Sequence, residues 1–209
     1  MGAAPQTIRK GRKFDQVVEG ARLIFLRDGF ERASVDDIAR EAGVSKATLY
    51  SYFPDKRLLF MEIAKAECRR QAYEAEALID DTAPVADVLR MAAERFVSFM
   101  MSDFGMRMFR VAVAESENFP ALAHDFYHSG PLLIRERLAL YLGCAVDRGE
   151  LAIDDIDLAA DQFAQLCKAN IQDRSIFGAG PCCSPGDLTR TVEGAVTMFM
   201  ARYGRKVTA

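Results

Sequence analysis

Apolar residues recur three and four positions apart along almost the whole 209-residue chain, and no stretch alternates apolar and polar residues between turn signals. The first spacing places apolar side chains on one face of an α-helix, whereas a half-buried strand requires the second. The sequence therefore predicts an all-α fold. Hydrophobic residues make up 50% of the chain, which is enough to bury a sizeable core at this length.

The sequence contains no run of about 18 apolar residues of the kind that crosses a membrane, and its N-terminus lacks the apolar stretch of a secretory signal. We therefore expect a soluble, cytoplasmic protein with no membrane partner. The five cysteines include no CxxC pair, so we expect reduced thiols rather than a disulfide framework.

Positive charge is concentrated at the N-terminal end. Residues 1–60 contain 11 Lys and Arg against 8 Asp and Glu, although the whole chain has a net charge of −3. Residues 1–13 include Arg9, Lys10, Arg12 and Lys13 and are predicted to be a flexible basic arm. A polyanionic partner such as DNA would therefore bind the N-terminal part.

Two short helices joined by a glycine turn are predicted after a leading helix over 14–28. Ser34 and Asp37 form an S-x-x-D capping pattern at the start of the first short helix. Gly43 ends that helix, Ser45 caps the second, and Pro54 stops it. This arrangement is typical of a helix-turn-helix.

The second short helix would carry Leu49 and Phe53 on its buried side. Its opposite face is then small and rich in donors, which suits the major groove of DNA; this face comprises Lys46, Ala47, Thr48, Tyr50 and Ser51. Lys56, in the first turn of the following helix, is a candidate phosphate contact. The alternative is that these are ordinary solvated side chains.

The run from Val17 to Phe60 closely resembles the N-terminal DNA-binding domain of TetR-family repressors, whose usual pattern is T-x-x-x-I-A-x-x-A-G-V-S-x-G-x-L-Y-x-Y-F-x-x-K. The resemblance implies that Val44, Leu49 and Phe53 are core residues. It implies DNA contacts by Ser34, Ser45, Lys46, Thr48, Tyr50, Tyr52 and Lys56. Ala47 stands where glycine or proline is frequent and is expected to affect which bases are read. Gly20 stands where alanine is common, at a cost of roughly 0.5–1 kcal/mol in helix stability.

The predicted organisation is a basic arm (1–13), a three-helix helix-turn-helix domain (14–60) and a C-terminal helical domain for effector binding and dimerisation (61–209). Proline, glycine and periodicity signals divide the last part into further segments. The predicted helices cover 56–80, 84–102, 103–117, 119–148 with a bend near Gly130, 155–174 and 187–204, with a loop over 178–186.

Residues 85–150 are unusually rich in methionine and aromatic side chains, which favours a cavity for apolar molecules. The predicted effector-binding residues are Phe96, Phe99, Met100, Phe109, Arg110, Phe126, Tyr127 and Tyr141. The segment Phe109 to Leu138 is similar to the effector domain of AefR-like regulators, which implies a response to a small molecule of unknown identity.

Small and apolar residues cover more of the helices at 155–174 and 187–204 than one core-facing stripe requires; they include Ala159, Ala160, Phe163, Ala164, Cys167, Val192, Ala195, Val196, Phe199 and Met200. In TetR-like proteins the corresponding helices form a four-helix bundle with a second subunit. The resemblance therefore implies a homodimer that binds a pseudo-palindromic operator.

Three other functions have weaker support in the sequence: a metal site, an oxidant sensor and an enzyme. His124 and His128 share a helix face, but no third metal ligand is visible, and Cys182 and Cys183 would sense oxidants only as exposed thiolates. No nucleophile, base and orienting group occur at a catalytic spacing. We predict a TetR-type repressor that is released by a small apolar or amphiphilic ligand and has no enzymatic activity, metal or cofactor. A DNA-binding regulator without a small-molecule effector is the alternative.

Overall fold

The computed structural model describes residues 11–80, 82–179 and 184–205. These residues form eleven α-helices and no β-strand, which confirms the predicted all-α fold. No described helix has the length and apolar character needed to span a membrane. The helices are α1 Arg12–Arg32, α2 Val35–Glu41, α3 Lys46–Tyr52, α4 Lys56–Glu76, α5 Val85–Met101, α6 Asp103–Ala114, α7 Pro120–Ser129, α8 Pro131–Asp147, α9 Ile156–Leu166, α10 Ile171–Ile176 and α11 Pro185–Tyr203.

The first helices begin and end where local signals place them. Gly29 interrupts α1 with a φ of 76°, a conformation that glycine adopts without steric cost. The side chains of Ser34 and Ser45 accept hydrogen bonds at the starts of α2 and α3. Arg12 and Lys13 belong to α1, so the predicted arm is helical at its last two positions, while residues 1–10 lie outside the described part.

Two predicted long helices are each divided in the structure. The segment 119–148 forms α7 and α8, which meet at Gly130 with φ −121° and ψ −92°, and Pro131 starts the second helix. The segment 155–174 forms α9 and α10, separated by Asn170 at a φ of 66°. The predicted loop over 178–186 ends early, because a capping box formed by Ser184 and Asp187 starts α11 at Pro185.

Buried hydrophobic side chains form two clusters. The N-terminal cluster is built mainly by α1–α4 and also contains Met108 and Ala112 of α6 and Phe126 of α7. The C-terminal cluster is built mainly by α5, α8, α9 and α11 and the loop that carries Leu151, and it also contains Met106 of α6 and Ile171 of α10. The N-terminal cluster includes α4 as far as Cys68, so the packing around α4 continues beyond residue 60, where the sequence predicted a domain boundary.

The apolar residues predicted to form a docking surface on α9 and α11 mostly lie in the C-terminal cluster. Ala159, Phe163, Val192 and Phe199 are each no more than 3% exposed. These helices need a wide apolar face because α9 packs against both α8 and α11, and α11 packs against both α5 and α9. The prediction that these buried side chains form a docking surface was therefore wrong.

Candidate DNA-binding face and effector cavity

Helix α3 is held by its ends and by one buried residue. The side chain of Ser45 accepts a hydrogen bond from the Thr48 amide at 3.1 Å. Leu49 is 1% exposed and Phe53, just after the helix, is 4% exposed. In the preceding turn Gly43 has a φ of 62°, which favours glycine. The caps and the turn of the helix-turn-helix thus lie within residues 34–53, and contacts from Phe14 and Gly20 of α1 complete its packing.

The outer face of α3 presents several of the predicted DNA-contacting residues to solvent. Ser45, Lys46 and Ala47 are exposed, and Tyr50 is 48% exposed. Lys46 forms an ion pair with Asp36 of α2, and the Ser51 hydroxyl donates to the Thr48 carbonyl at 2.6 Å. Both side chains of the Lys46–Asp36 ion pair are exposed, so the pair is weak. A DNA phosphate can therefore replace Asp36 as the partner of Lys46.

The other predicted DNA-contacting residues also have structural roles. Ser34 caps α2 and donates to Asp37 at 2.5 Å; this hydrogen bond, with Arg40, holds the pKa of the Asp37 carboxyl below its ordinary value. Tyr52 packs edge-on against Phe14 with ring centroids 5.8 Å apart. Their contribution to DNA binding remains a prediction.

Lys56 has backbone partners that the sequence did not indicate. Its ammonium donates to the carbonyls of Phe30 at 2.8 Å and Ala33 at 3.1 Å, and it lies 4.5 Å from the centroid of the Phe30 ring. Lys56 therefore ties the end of α1 to the start of α4. An ammonium has three protons, so one N–H remains for the predicted phosphate contact.

Close packing requires glycine at position 20. The sequence indicated only that this glycine lowers helix stability slightly, and gave no reason for its presence. A Cβ atom at this position would lie 2.7 Å from the backbone nitrogen and 2.8 Å from the Cα of Ala42. Backbone atoms at that distance must shift to make room. Glycine at position 20 therefore lets α1 approach the end of α2 and orients the helix-turn-helix.

An apolar cavity of about 360 Å³ lies among α4, α5, α8 and α9. Five of its lining residues are alanines, whose short side chains leave the space open: Ala72, Ala75, Ala92, Ala93 and Ala164. Larger apolar side chains such as Phe96, Phe99 and Phe163 complete the walls. Burial raises the pKa of the Cys167 thiol to about 12, so this lining residue is neutral at physiological pH.

The cavity includes three of the predicted effector-binding residues, Phe96, Phe99 and Tyr141. The other five predicted residues do not line it: Met100, Phe109, Arg110, Phe126 and Tyr127. Four of these five residues belong to α6 and α7, which pack against α4 without lining the cavity. Phe126 belongs to the N-terminal cluster, Tyr127 is 52% exposed, and Arg110 donates to the Ser175 carbonyl at 2.6 Å.

Sequence reasoning missed the polar lining of the cavity, which consists chiefly of Gln71, Glu76, Arg95 and Arg137. Arg137 pairs with Glu76 at 2.9 Å. One signal was present in the sequence. Arg95 lies on the same helical stripe as Val88, Ala92 and Phe99, because residues three, four and seven positions apart share one face.

Ion pairs and ring contacts connect the DNA-binding half to helix α6 and the residue that follows it. Arg57, at the start of α4, donates to Glu115 at 2.6 Å, and Arg107 pairs with Glu31 at 3.1 Å. The Phe60 and Phe104 rings lie 5.4 Å apart. These contacts link α4 and α6 to each other and to the end of α1.

The histidine pair lies on the exposed surface of α7. The Nε2 atoms of His124 and His128 are 3.0 Å apart and share a hydrogen bond. Within the described residues no group of three or more His, Cys, Asp or Glu side chains is placed to hold a metal ion. Cys182 and Cys183 lie outside the described residues.

A helix-turn-helix with an exposed second helix, joined by a shared helix to a unit with an apolar cavity, defines a helix-turn-helix transcriptional regulator. The chain belongs to the TetR family. Residues 17–63 match the model described as bacterial regulatory proteins of the tetR family, and residues 87–205 match the AefR-like transcriptional repressor C-terminal domain. TetR-family regulators bind operator DNA and act as dimers.

Known proteins similar to this chain share its architecture. A solved TetR-family regulator from Mesorhizobium loti superposes with a TM-score of 0.81 at 24% identity, covering 94% of this chain and 99% of that one. The flavonoid-responsive regulator FrrA has a TM-score of 0.69 and 32% identity, covering 95% and 100%. The fatty acid metabolism regulator protein of Bacillus subtilis is 24% identical over 98 residues, which is 47% of this chain and 50% of that protein. The chain thus spans about half the length of such curated relatives.

Proposed function

We propose that this regulator is a repressor whose homodimer binds a pseudo-palindromic operator through α3 and releases it when a small apolar or amphiphilic molecule fills the cavity. The observation that carries the proposal is the position of α4. Its first residue is Lys56, beside the DNA-binding face, and its last turns line the cavity with Gln71, Ala75 and Glu76. A helix of 21 residues is about 30 Å long and moves as a rigid element.

A ligand that displaces the far end of α4 would tilt its N-terminus, which is linked to α1 by Lys56 and to α6 by Arg57. The two α3 helices of a dimer must match half-sites about 34 Å apart, so a change in their separation weakens operator binding. A coupling of about 1–3 kcal/mol between ligand and operator corresponds to roughly 5- to 150-fold derepression.

The names of similar proteins support an apolar or amphiphilic effector and a repressor role. FrrA is described as flavonoid-responsive, and the Bacillus subtilis relative as a regulator of fatty acid metabolism. The C-terminal match is to a family of repressors. We place the protein in the bacterial cytoplasm because its DNA target lies there.

We also propose dimerisation through 155–174 and 187–204, by the exposed side chains of these helices rather than the buried ones. The outer faces of α9 and α11 carry Leu158, 50% exposed, and Met198, 61% exposed. Gly194 and Ala201 lie on the same face of α11 and allow a close approach of a second subunit.

Met198→Glu should convert the dimer into monomers in sedimentation analysis and weaken operator binding. Unchanged sedimentation would assign the interface to another surface.

The decisive experiment is selection of operators from random duplex DNA by the purified full-length protein, with and without a panel of apolar and aromatic compounds. A palindromic motif that is lost with one compound is the expected result. A motif that resists every compound would favour regulation without a small-molecule effector. Recovery of no motif would overturn the DNA-binding role. Thr48→Ala should shift the selected motif, because Thr48 is predicted to contact base edges.

A further inference from the structure

The cavity wall contains an arginine with no acidic partner within the described part of the chain. Arg95 of α5 lines the cavity and is partly buried, and among the described residues no carboxylate lies within 4.0 Å of its guanidinium. The other arginine of the wall, Arg137, is neutralised by Glu76 at 2.9 Å and lies over the Tyr73 ring. Glu76 is also the one acidic side chain among the described lining residues. The lining therefore has an uncompensated positive charge at Arg95.

A second cation lies near the same wall. The Lys168 ammonium is 6.0 Å from the centroid of the Phe96 ring, and Phe96 and Cys167 both line the cavity. Lys168 is partly buried and forms no ion pair within the described part of the chain. Both cations therefore raise the electrostatic potential on the side of the cavity where Phe96 lies.

Arginine keeps its charge in an apolar site because its pKa is too high for deprotonation. A neutral ligand that filled the cavity would remove water from Arg95 without replacing the lost hydrogen bonds, which is costly. A ligand carboxylate accepts two parallel hydrogen bonds from a guanidinium and removes that cost. A cationic ligand would be repelled.

We propose that the cavity binds an amphiphilic organic anion, with an apolar body against the alanine and phenylalanine walls and one carboxylate or similar acidic group on Arg95. This inference rests on the proposed function, since it assigns the chemical class of the effector. The cavity volume of about 360 Å³ is at the lower end of the range for pockets that bind small organic ligands.

The test compares matched acids and neutral analogues on the full-length protein. The probes are dodecanoate against 1-dodecanol, for an alkyl body, and 2-naphthoate against 2-naphthamide, for an aromatic body. Affinities are measured by calorimetry and operator release by fluorescence anisotropy of labelled DNA. Wild-type protein should prefer the acid of at least one pair by roughly 10- to 100-fold, the value of a charged hydrogen-bonded contact.

Variants separate the charge of Arg95 from a structural effect. Arg95→Gln should abolish the preference for the acid without lowering the Tm of the unliganded protein, and Arg95→Lys should keep part of it. Arg69→Gln is the matched control, since Arg69 is an exposed arginine of α4 that does not line the cavity; it should behave as wild type.

The two proposals fail in distinguishable ways. If neutral analogues bind as tightly as the acids and release the operator, or if Arg95→Gln keeps the preference, the organic-anion assignment is wrong while ligand-released repression stands. If neither acids nor neutral analogues bind or change operator affinity, both proposals are overturned. If the naphthalene pair shows the preference and the dodecyl pair does not, the effector is an aromatic acid, and the reverse result indicates an alkyl acid.

Discussion

The DNA-binding face is assembled within the segment from Ser34 to Lys56, whereas the cavity takes its walls from residues between Gln71 and Cys167. Each helix of the face begins at a local cap, and α3 depends on a single buried residue, Leu49. The cavity instead exists because alanines on separate helices happen to face one another. Local sequence can specify the first kind of site, but only helix packing specifies the second.

Leu49→Ala should have the largest effect and should separate the two regions. Truncation of a buried leucine costs about 2–5 kcal/mol, and α3 has no other buried residue to hold it. We expect loss of specific operator binding in anisotropy measurements and a lower Tm. Binding of the preferred acid to the cavity should be retained. Loss of both activities would show that the regions fold as one cooperative unit.

Gly20→Ala should destabilise the protein, although alanine is the better helix former. Overpacking against the Ala42 backbone at 2.7 Å should cost about 1–3 kcal/mol in unfolding free energy. Gly143→Ala in α8 is the matched control, because its new Cβ would be 3.8 Å from Ile156 Cδ1, an ordinary contact. The control should gain up to about 1 kcal/mol. Chemical denaturation measures the unfolding free energy of each variant. An equal gain in stability for Gly20→Ala and Gly143→Ala would contradict the packing role of Gly20.

Lys56→Ala and Lys46→Ala distinguish a lysine with a structural role from one that only faces DNA. Lys56→Ala removes two charged hydrogen bonds to carbonyls and should lower stability by about 1–2 kcal/mol. It should also weaken binding to specific and random DNA alike and reduce the salt slope by about one. Lys46→Ala should leave stability within about 0.5 kcal/mol while weakening DNA binding. Unchanged salt slopes in both variants would remove these residues from the DNA interface.

The contribution of Glu67 to the pH dependence of stability should be the smallest of these effects. Glu67 is 6% exposed; burial alone would raise its pKa, but hydrogen bonds from Arg70 and Gln71 outweigh burial and lower it. Because the pKa of Glu67 is lower in the folded protein, the unfolded state binds more protons at acidic pH. Glu67 therefore stabilises the folded state at neutral pH, and this stabilisation is lost as the pH falls below about 4.3. Glu67→Gln should therefore flatten the acid limb of a plot of Tm against pH. An acid limb as steep as that of wild type would contradict the assignment.

Much of the molecule was predictable from short windows of sequence. The caps at Ser34 and Ser45, the breaks at Gly29 and Gly43, and the buried position of Leu49 were all expected, because each depends on neighbours within a few residues. The position of the bend at Gly130 was also expected, but not that α7 and α8 would be separate helices. The positive φ of Asn170, which divides α9 from α10, had no signal in the sequence.

What the sequence by itself determined was the helical fold, the helix-turn-helix and the outward-facing side of α3, since helix periodicity and capping act locally. Only the tertiary structure decided that Gly20 must be glycine, that Lys56 ties α1 to α4, and that Arg95 rather than Arg110 lines the cavity. These properties depend on which helix surfaces meet, and residues distant in sequence meet according to the packing of the whole chain.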